Sequence, residues 1–453
     1  MAFEERVWAR ARIWKNESNS CWLIGDPWSQ QLRNSYGLGH SSYKYRLPAY
    51  AARSIDMSQP LPIPRIPGDR ILGSEISRDL EHRLCDVCGL KSKRFTPSLP
   101  VAFRLQSLKS ILNEDYWVCE KSDGVRVVVF LTTSLTSHEQ ELYLVDRKNT
   151  FFRVDLRMSD EIDRQSNDLH DTVLDGELVY ETSEEGVNKT KLLLFDCLAI
   201  NNENVTKLPF QWRYACLQNQ VLPIIEAFLR RRTDIRSTLG FEPLLKPMSR
   251  AYDVAIVLQK MPNLQHRTDG LIFTCLHSPY TFGSNFKILK WKPPGYVTID
   301  FLLRFKQNMS EKSTCRNTMD KMIEKPSLEL HLRTNDNSHV YFDDIAIDDD
   351  EWSRWKQCGT CLDGRIVECA PIFVTSCTGK IHEHWKIIRL REDKIVANHY
   401  SIITRTLESI HHGVSESKLV KSVPGITRNW FHPKRRAKRI RFESTMPSIL
   451  PSK

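Results

Sequence analysis

The sequence predicts an α+β fold built mainly from antiparallel sheets, with a strand-rich module towards the carboxy terminus. Three observations carry this. Apolar, β-branched segments recur beside Asp-Gly pairs at Asp123, Asp175 and Asp269, the composition of strands bounded by turns. Residues 68–292 alternate such segments with helical patterns, including the amphipathic run PFQWRYACLQNQVLPIIEAFLRRR broken at Pro223. Residues from Val297 to about Asn398 hold the strand patterns VTIDFLLRF, LELHLRT, GRIVECA and HWKIIRLRE, the content of a small barrel.

The amino-terminal stretch, residues 1–67, has four tryptophans, many serines, no clear period and a closing PLPIPRIPG. Prolines at that density prevent regular structure, and the stretch reads as a divergent, disordered extension. The first chemically pointed segment is KSDGVR, Lys121 to Arg126. A Lys-x-Asp-Gly-x-Arg string arises by chance in on the order of one in two hundred chains of this length. The flanking DYWVCE and VRVVVF are strand-forming, so the Asp123-Gly124 pair predicts a hairpin with Lys121 at a strand end. A lysine must shed its proton to attack phosphorus, and nearby cations and desolvation are how proteins favour that. Arg126 offers such a cation and a fork for a phosphate oxygen. A solvated turn lysine is the competing interpretation.

Further along, TVLDGELVY places Glu177 on an apolar segment, a candidate metal ligand, and KLLLFDCLAI sets Phe195 and Asp196 near the end of a buried strand. RTDGLIFT puts Asp269 before another strand. Taken singly, each is what any sheet edge with a turn acid looks like. In ILKWKPP, Lys290 and Lys292 alternate with apolar residues, so on a strand both ammonium groups share a face and repel unless an anion lies between them. Arg389 and Arg391 share a face in the same way, with Asp393 and Lys394 following. A helix over DDDEWSRWK, with acids in its cap and first turn, and a helical pattern from Ile402 to His411 complete the elements.

Composition bounds the partners. The 453 residues hold 65 Lys and Arg against 55 Asp and Glu, a net charge of +10 that favours a polyanion. No apolar run reaches the roughly 20 residues of a membrane span, and no secretory leader pattern is seen, so a soluble intracellular protein is expected. The 12 cysteines are scattered, several inside predicted strands, which suits reduced buried thiols. Cys85/Cys88 and Cys358/Cys361 form two CxxC pairs, too far apart in sequence for a usual zinc site, and none is predicted. The tail HPKRRAKRIRF is a basic cluster of the kind read by nuclear import or nucleic acid, or a solvated end.

Taken in order, these segments resemble the collinear motifs of the covalent nucleotidyltransferases, which include mRNA capping guanylyltransferases and ATP-dependent polynucleotide ligases. LKWKPP, FDCLAI, TDGLIFTCLHSPYT, DGRIVECA and RLREDK followed by ANH look like the capping branch. RFTPSLPVAF, VCEKSDGVRV and the helix-rich tail are similar to the fungal GTP:RNA guanylyltransferases. The resemblance implies a ligase/capping nucleotidyltransferase domain, ATP-grasp-like, over 68–292, a carboxy-terminal OB-fold β-barrel lid over 293–400, and helices with a basic tail over 401–453.

It also implies the chemistry. Lys121 would take GMP from GTP as a lysyl-N-GMP intermediate and pass it to a 5'-diphosphate RNA end, forming the 5'-5' cap. Arg126 would bind ribose or acceptor phosphate, Arg147 the sugar hydroxyls or RNA end, and Phe195 the guanine face. Glu177 and Asp269 would place Mg2+ or Mn2+. Lys290 and Lys292 would hold the α-phosphate, and Arg391, Asp393 and Lys394 the β and γ phosphates. The base-reading lysine of the family falls in EPLLKPMSRAY, where Lys246 and Arg250 are the options. No HCxxGxxR phosphatase loop is present, so a separate RNA 5'-triphosphatase subunit is implied. Nuclear residence and docking to the phosphorylated carboxy-terminal domain of RNA polymerase II are expected as well. A ligase using ATP and a catalytically dead RNA-binding scaffold are the alternatives.

Overall fold

The computed structural model describes residues 64–91, 94–134, 140–155, 169–182, 188–293, 297–306, 325–345, 347–357, 362–375, 381–391, 394–411 and 413–443. Residues 1–63, Asp393, Cys358 and Cys361 lie outside them.

Three sheets organise these residues. The first, of eight strands, runs in the order Asp69–Arg70, Phe151–Val154, Gln140–Val145, Val125–Thr133, Thr172–Thr182, Asn188–Ile200 and Glu242–Leu245, with Glu203–Asn204 also pairing to Asn188–Ile200. The second runs Ser249–Arg250, Tyr116–Ser122, Thr268–Cys275, Gly283–Trp291 and Ser98–Ala102. Each has its own core, one around Val129, Leu174 and Leu217, the other around Tyr116, Phe273 and Trp291. All ladders are antiparallel except two parallel pairs, one at an edge of each sheet. The α+β expectation holds.

The predicted hairpin at Asp123-Gly124 does not form. Tyr116–Ser122 pairs within the second sheet while Val125–Thr133 pairs within the first, so these two residues carry the chain from one sheet to the other. The strand signals were right, but the turn signal does not say which strands pair. Gly124 is required because a Cβ there would lie 2.1 Å from the Leu178 carbonyl oxygen. Asp175-Gly176 and Asp269-Gly270 also sit inside strands, at irregularities of the ladders, and not in turns before them. At Gly270, φ is +150° and a Cβ would lie 2.0 Å from the Trp291 carbonyl oxygen. The backbones at Asp269 and Trp291 are thereby pressed together.

The amphipathic run is one continuous helical stretch. Phe210–Cys216 passes through a single π-turn, Leu217–Val221, into Leu222–Arg231, with Pro223 in the first turn of the last segment. A widened turn absorbs the proline that the sequence reads as a break.

The third sheet orders His339–Ile345, Leu328–Arg333, Ile299–Phe305, Ile366–Thr375 and Ile381–Leu390, all antiparallel, over a core that includes Phe301, Trp352 and Trp385. Among the described residues no ladder joins its two outer strands, so the closure expected of a barrel is not seen among them.

The chain then returns to the second core. Val414, Leu419 and Ile426 pack into it, and the Trp291 indole N–H donates to the Val414 carbonyl at 2.7 Å. The basic tail is not a solvated end. Pro433–Glu443 is a helix whose Arg435 and Arg439 close on buried Asp115, at the start of the Lys121 strand. Arg439 also covers Trp430, 4.6 Å from its ring centre. Cys85 and Cys88, on the helix Ser74–Val87 and at its cap, are core residues packed with Phe95 and Phe130.

Candidate active site

Lys121 projects from the end of its strand, one residue from the crossover between sheets. Its ammonium lies 2.8 Å from Asp269 Oδ1, and the other oxygen of that carboxylate is 2.6 Å from Lys292 Nζ. Two cations on one acid is the geometry that Gly270 permits, because it lets the Asp269 segment lie against Trp291 and Lys292. Burial pushes the Asp269 carboxyl up, but Lys292 and Lys121 outweigh it and hold the group below the usual carboxylate range.

Lys290 joins this group from the same strand segment as Lys292. Its pKa is lowered, first by partial burial and then by Lys292 and Lys121, with a smaller push from Arg147. Three lysines thus gather about Asp269, with Arg147 close enough for its charge to act on Lys290. Their mutual repulsion is relieved by a polyanion, and a triphosphate suits the arrangement. The shared face read from ILKWKPP is real, and Arg147, exposed after Gln140–Val145, is brought to it.

On the neighbouring sheet, Glu177 sits opposite Arg126 in register. The Gly124 N–H donates to Glu177 Oε1 at 3.2 Å, so the crossover and this acid are tied together. Burial raises the Glu177 pKa against the opposing pull of Lys246, Lys121 and Arg126. Arg126 is itself an anchor: Nε and Nη2 donate to the two Asp175 oxygens at 2.9 and 2.5 Å, and Nη1 donates to the Ser98 carbonyl at 2.5 Å. Two of its five N–H groups are left over for another acceptor. Its guanidinium lies 5.6 Å from the centre of the Phe195 ring.

Of the two base-reading options, Lys246 is the one inside. It is buried, with Nζ 2.7 Å from Glu120 Oε1 and 2.6 Å from Ser122 Oγ, the residues on either side of Lys121. Arg250 is exposed, on an edge strand opposite Trp117. Burial pushes Glu120 up, but Lys246 and the His266 side chain bring its pKa down to about 2.

The carboxy-terminal residues form a separate group. Arg391 Nη1 lies 3.0 Å from Asp300 Oδ1, Lys394 pairs with Asp300 Oδ2, and Arg389 Nε lies 2.6 Å from Glu368 Oε2. These carboxylates belong to the third sheet, so the structure does not bring Arg391 and Lys394 to the Lys121 cluster.

Sequence reasoning missed the residues that hold the site. Asp175, fully buried, takes Arg126 and also the Tyr280 hydroxyl at 2.6 Å. Asp196, beside Phe195, is gripped by Arg213 through two hydrogen bonds of 2.8 and 2.9 Å. Glu120 carried a signal, an acid inside an apolar strand, but its partner Lys246 lies 126 residues away.

A divalent cation fits two of these side chains. Mg2+ is bound through one or two carboxylates together with substrate phosphates and water. Asp269 meets Lys121 and Lys292 through its two oxygens, and Glu177 is a second carboxylate near the same Lys121, so a cation bound with phosphates would find two oxygen donors here. No cluster of three or more metal-type side chains is found among the described residues.

Two family models match in succession: the catalytic domain of mRNA capping enzyme over residues 64–294, and its C-terminal domain over 297–420. The chain belongs to the mRNA capping enzyme family. It is 31% identical over 385 residues to the mRNA-capping enzyme subunit alpha of Yarrowia lipolytica, covering 83% of this chain and 93% of that one. The Schizosaccharomyces pombe subunit alpha is 30% identical, with 79% and 87% covered, and the Saccharomyces cerevisiae one is 30% identical, with 81% and 87% covered. As a capping family member the protein is a nucleotidyltransferase, and the Lys121 cluster falls within the catalytic-domain match.

Proposed function

We propose that this protein is an mRNA guanylyltransferase that moves GMP from GTP to the 5'-diphosphate end of RNA through Lys121. The observation that carries the reading is the convergence of Lys121 and Lys292 on Asp269, with Lys290 and Arg147 close by. A lysine nucleophile flanked by cations is arranged to meet a phosphate.

In the first step the Lys121 amine, having given up its proton to solvent, attacks the α-phosphorus in line. An N–P bond forms, the bond to the bridging oxygen breaks, and pyrophosphate leaves. Lys290 and Lys292 neutralise charge on the α-phosphate, and Phe195 offers a face for the guanine. In the second step an oxygen of the RNA diphosphate attacks the same phosphorus, and the N–P bond breaks to release the lysine. Glu177 and Asp269 would hold Mg2+ or Mn2+, which supplies positive charge to the phosphate oxygens. Lys246 is the base-reading candidate, because it is the buried option beside Lys121.

The third sheet and its flanking helix serve as an OB-type lid, carrying Arg391, Asp393 and Lys394 to the β and γ phosphates. Relatives named as a subunit alpha support a partner subunit, for which a separate RNA 5'-triphosphatase is the proposal. Nuclear residence and docking to the phosphorylated carboxy-terminal domain of RNA polymerase II complete the reading.

The test is to incubate the protein with Mg2+ and GTP labelled on the α-phosphate, with ATP in parallel. Acid-labile, alkali-stable label from GTP alone is expected, and EDTA should prevent it. Label from ATP alone would make the protein a ligase.

A further inference from the structure

The helix Pro433–Glu443 has two kinds of basic residue. Arg435 and Arg439, one turn apart, face inward. Arg435 Nε donates to Asp115 Oδ1 at 3.1 Å and its Nη1 to the Leu112 carbonyl at 2.7 Å, while Arg439 Nη1 reaches Asp115 Oδ2 at 3.2 Å and its Nη2 the Trp430 carbonyl at 2.7 Å. Lys434, Lys438 and Arg441 are exposed, and their i, i+4, i+7 spacing sets them in one stripe along a flank of the helix. The inward pair therefore does a structural job that leaves the outward stripe on a fixed support.

A second observation lies at the head of this helix. Phe431 is 57% exposed, an unusual place for a phenylalanine, and it is held by Tyr252, whose ring centre is 5.6 Å away. Tyr252 in turn packs edge-on against Trp430 at 5.4 Å. A braced aromatic ring with an open face, next to a row of cations, is the combination that binds single-stranded nucleic acid without regard to sequence: bases stack and phosphates are neutralised.

We infer that the terminal helix, with Phe431, is a binding site for the body of the RNA whose 5' end is being capped. This rests on the guanylyltransferase reading above. The position supports it. Asp115, where the helix is clasped, directly precedes the strand Tyr116–Ser122 that carries Lys121, six residues on and about 20 Å away. An RNA end at Lys121 must run several nucleotides before it can reach the stripe, so the site acts on long RNA and is invisible to short RNA.

The experiment uses the full chain and the triple variant K434Q/K438Q/R441Q, with Phe431→Ala as a separate variant. GMP labelling from GTP and transfer to a 5'-diphosphate trinucleotide should match the unaltered protein, which also reports an intact fold. For a long 5'-diphosphate transcript, KM should rise roughly tenfold at low salt and the salt slope of binding should fall by about 2, the value for three phosphate contacts on a single strand. Phe431→Ala should raise KM for the long transcript without changing the salt slope. Unchanged KM and slope for the long transcript in the triple variant would overturn the inference. So would a loss confined to binding of a phosphoserine-rich peptide with transcript binding intact, since the stripe would then serve an acidic protein. Failure of the unaltered protein to cap even the trinucleotide would instead count against the guanylyltransferase reading.

Discussion

Lys121 Nζ and Asp269 Oδ1 lie 2.8 Å apart, and the same carboxylate holds Lys292 through its other oxygen. Asp269 thus fixes Lys121 relative to Lys292, the nucleophile and an α-phosphate ligand in the proposed reaction. Removing it sets two neighbouring ammonium groups against each other and withdraws one of two candidate metal ligands. Asp269→Asn is expected to slow enzyme-GMP formation by on the order of 100-fold. The rate of label incorporation under saturating GTP checks this; an unchanged rate would reduce Asp269 to a structural pair.

Glu120 and Lys246 form a buried pair behind the Lys121 strand, 2.7 Å apart. Truncating one partner leaves a buried charge alone, which costs about 3–5 kcal/mol. Glu120→Ala should therefore lower the urea midpoint strongly, and adding Lys246→Met to it should recover part of the loss. A double variant no more stable than Glu120→Ala would show that the two side chains are not coupled.

The clasp of the terminal helix depends on pH in a definite direction. Burial pushes Asp115 up, but His277, Arg435 and Arg439 outweigh it and bring the carboxyl from 3.8 down to about 2. A depressed folded-state pKa stabilises fully above the unfolded value near 4, and that contribution fades as pH falls towards 2. It amounts to about 2 kcal/mol. Hydrogen exchange in residues 413–443 should accelerate over that window, and Asp115→Asn should already exchange fast at neutral pH. Glu120 titrates over a similar range, so the variant distinguishes the two.

Gly270 lies where the Asp269 segment crosses Trp291. A Cβ there would meet a carbonyl oxygen at 2.0 Å in a backbone conformation that L side chains rarely adopt. Gly270→Ala should cost roughly 1–3 kcal/mol in stability, and it should impair enzyme-GMP formation beyond what that loss explains, because Asp269 and Lys292 must move apart. Thermal melting and labelling rate, measured on the same sample below the transition, separate the two effects.

What the sequence disclosed follows from the range of its signals. The shared face of Lys290 and Lys292 was legible because a strand has a period of two, and the glycines after Asp123, Asp175 and Asp269 were legible as special points of the backbone. What those glycines do was not. Local composition cannot distinguish a hairpin from a crossover between sheets, a choice made by the distant strands Thr172–Thr182 and Thr268–Cys275. The anchors Asp175, Glu120 and Asp115 were hidden for the same reason: Arg126, Lys246 and Arg435 lie 49, 126 and 320 residues from their respective acids. The basic tail read as an import or nucleic-acid cluster, or as a solvated end, because nothing in its own composition shows that two of its arginines face a buried aspartate.

The most direct test of the central claim is to digest the protein after labelling with GTP and to map the modified residue by mass spectrometry, alongside Lys121→Ala. The account predicts GMP on the peptide containing Lys121 and no label on the variant, which should keep the melting behaviour of the unaltered protein. GMP on another lysine, or persistent labelling of a folded Lys121→Ala variant, would contradict it.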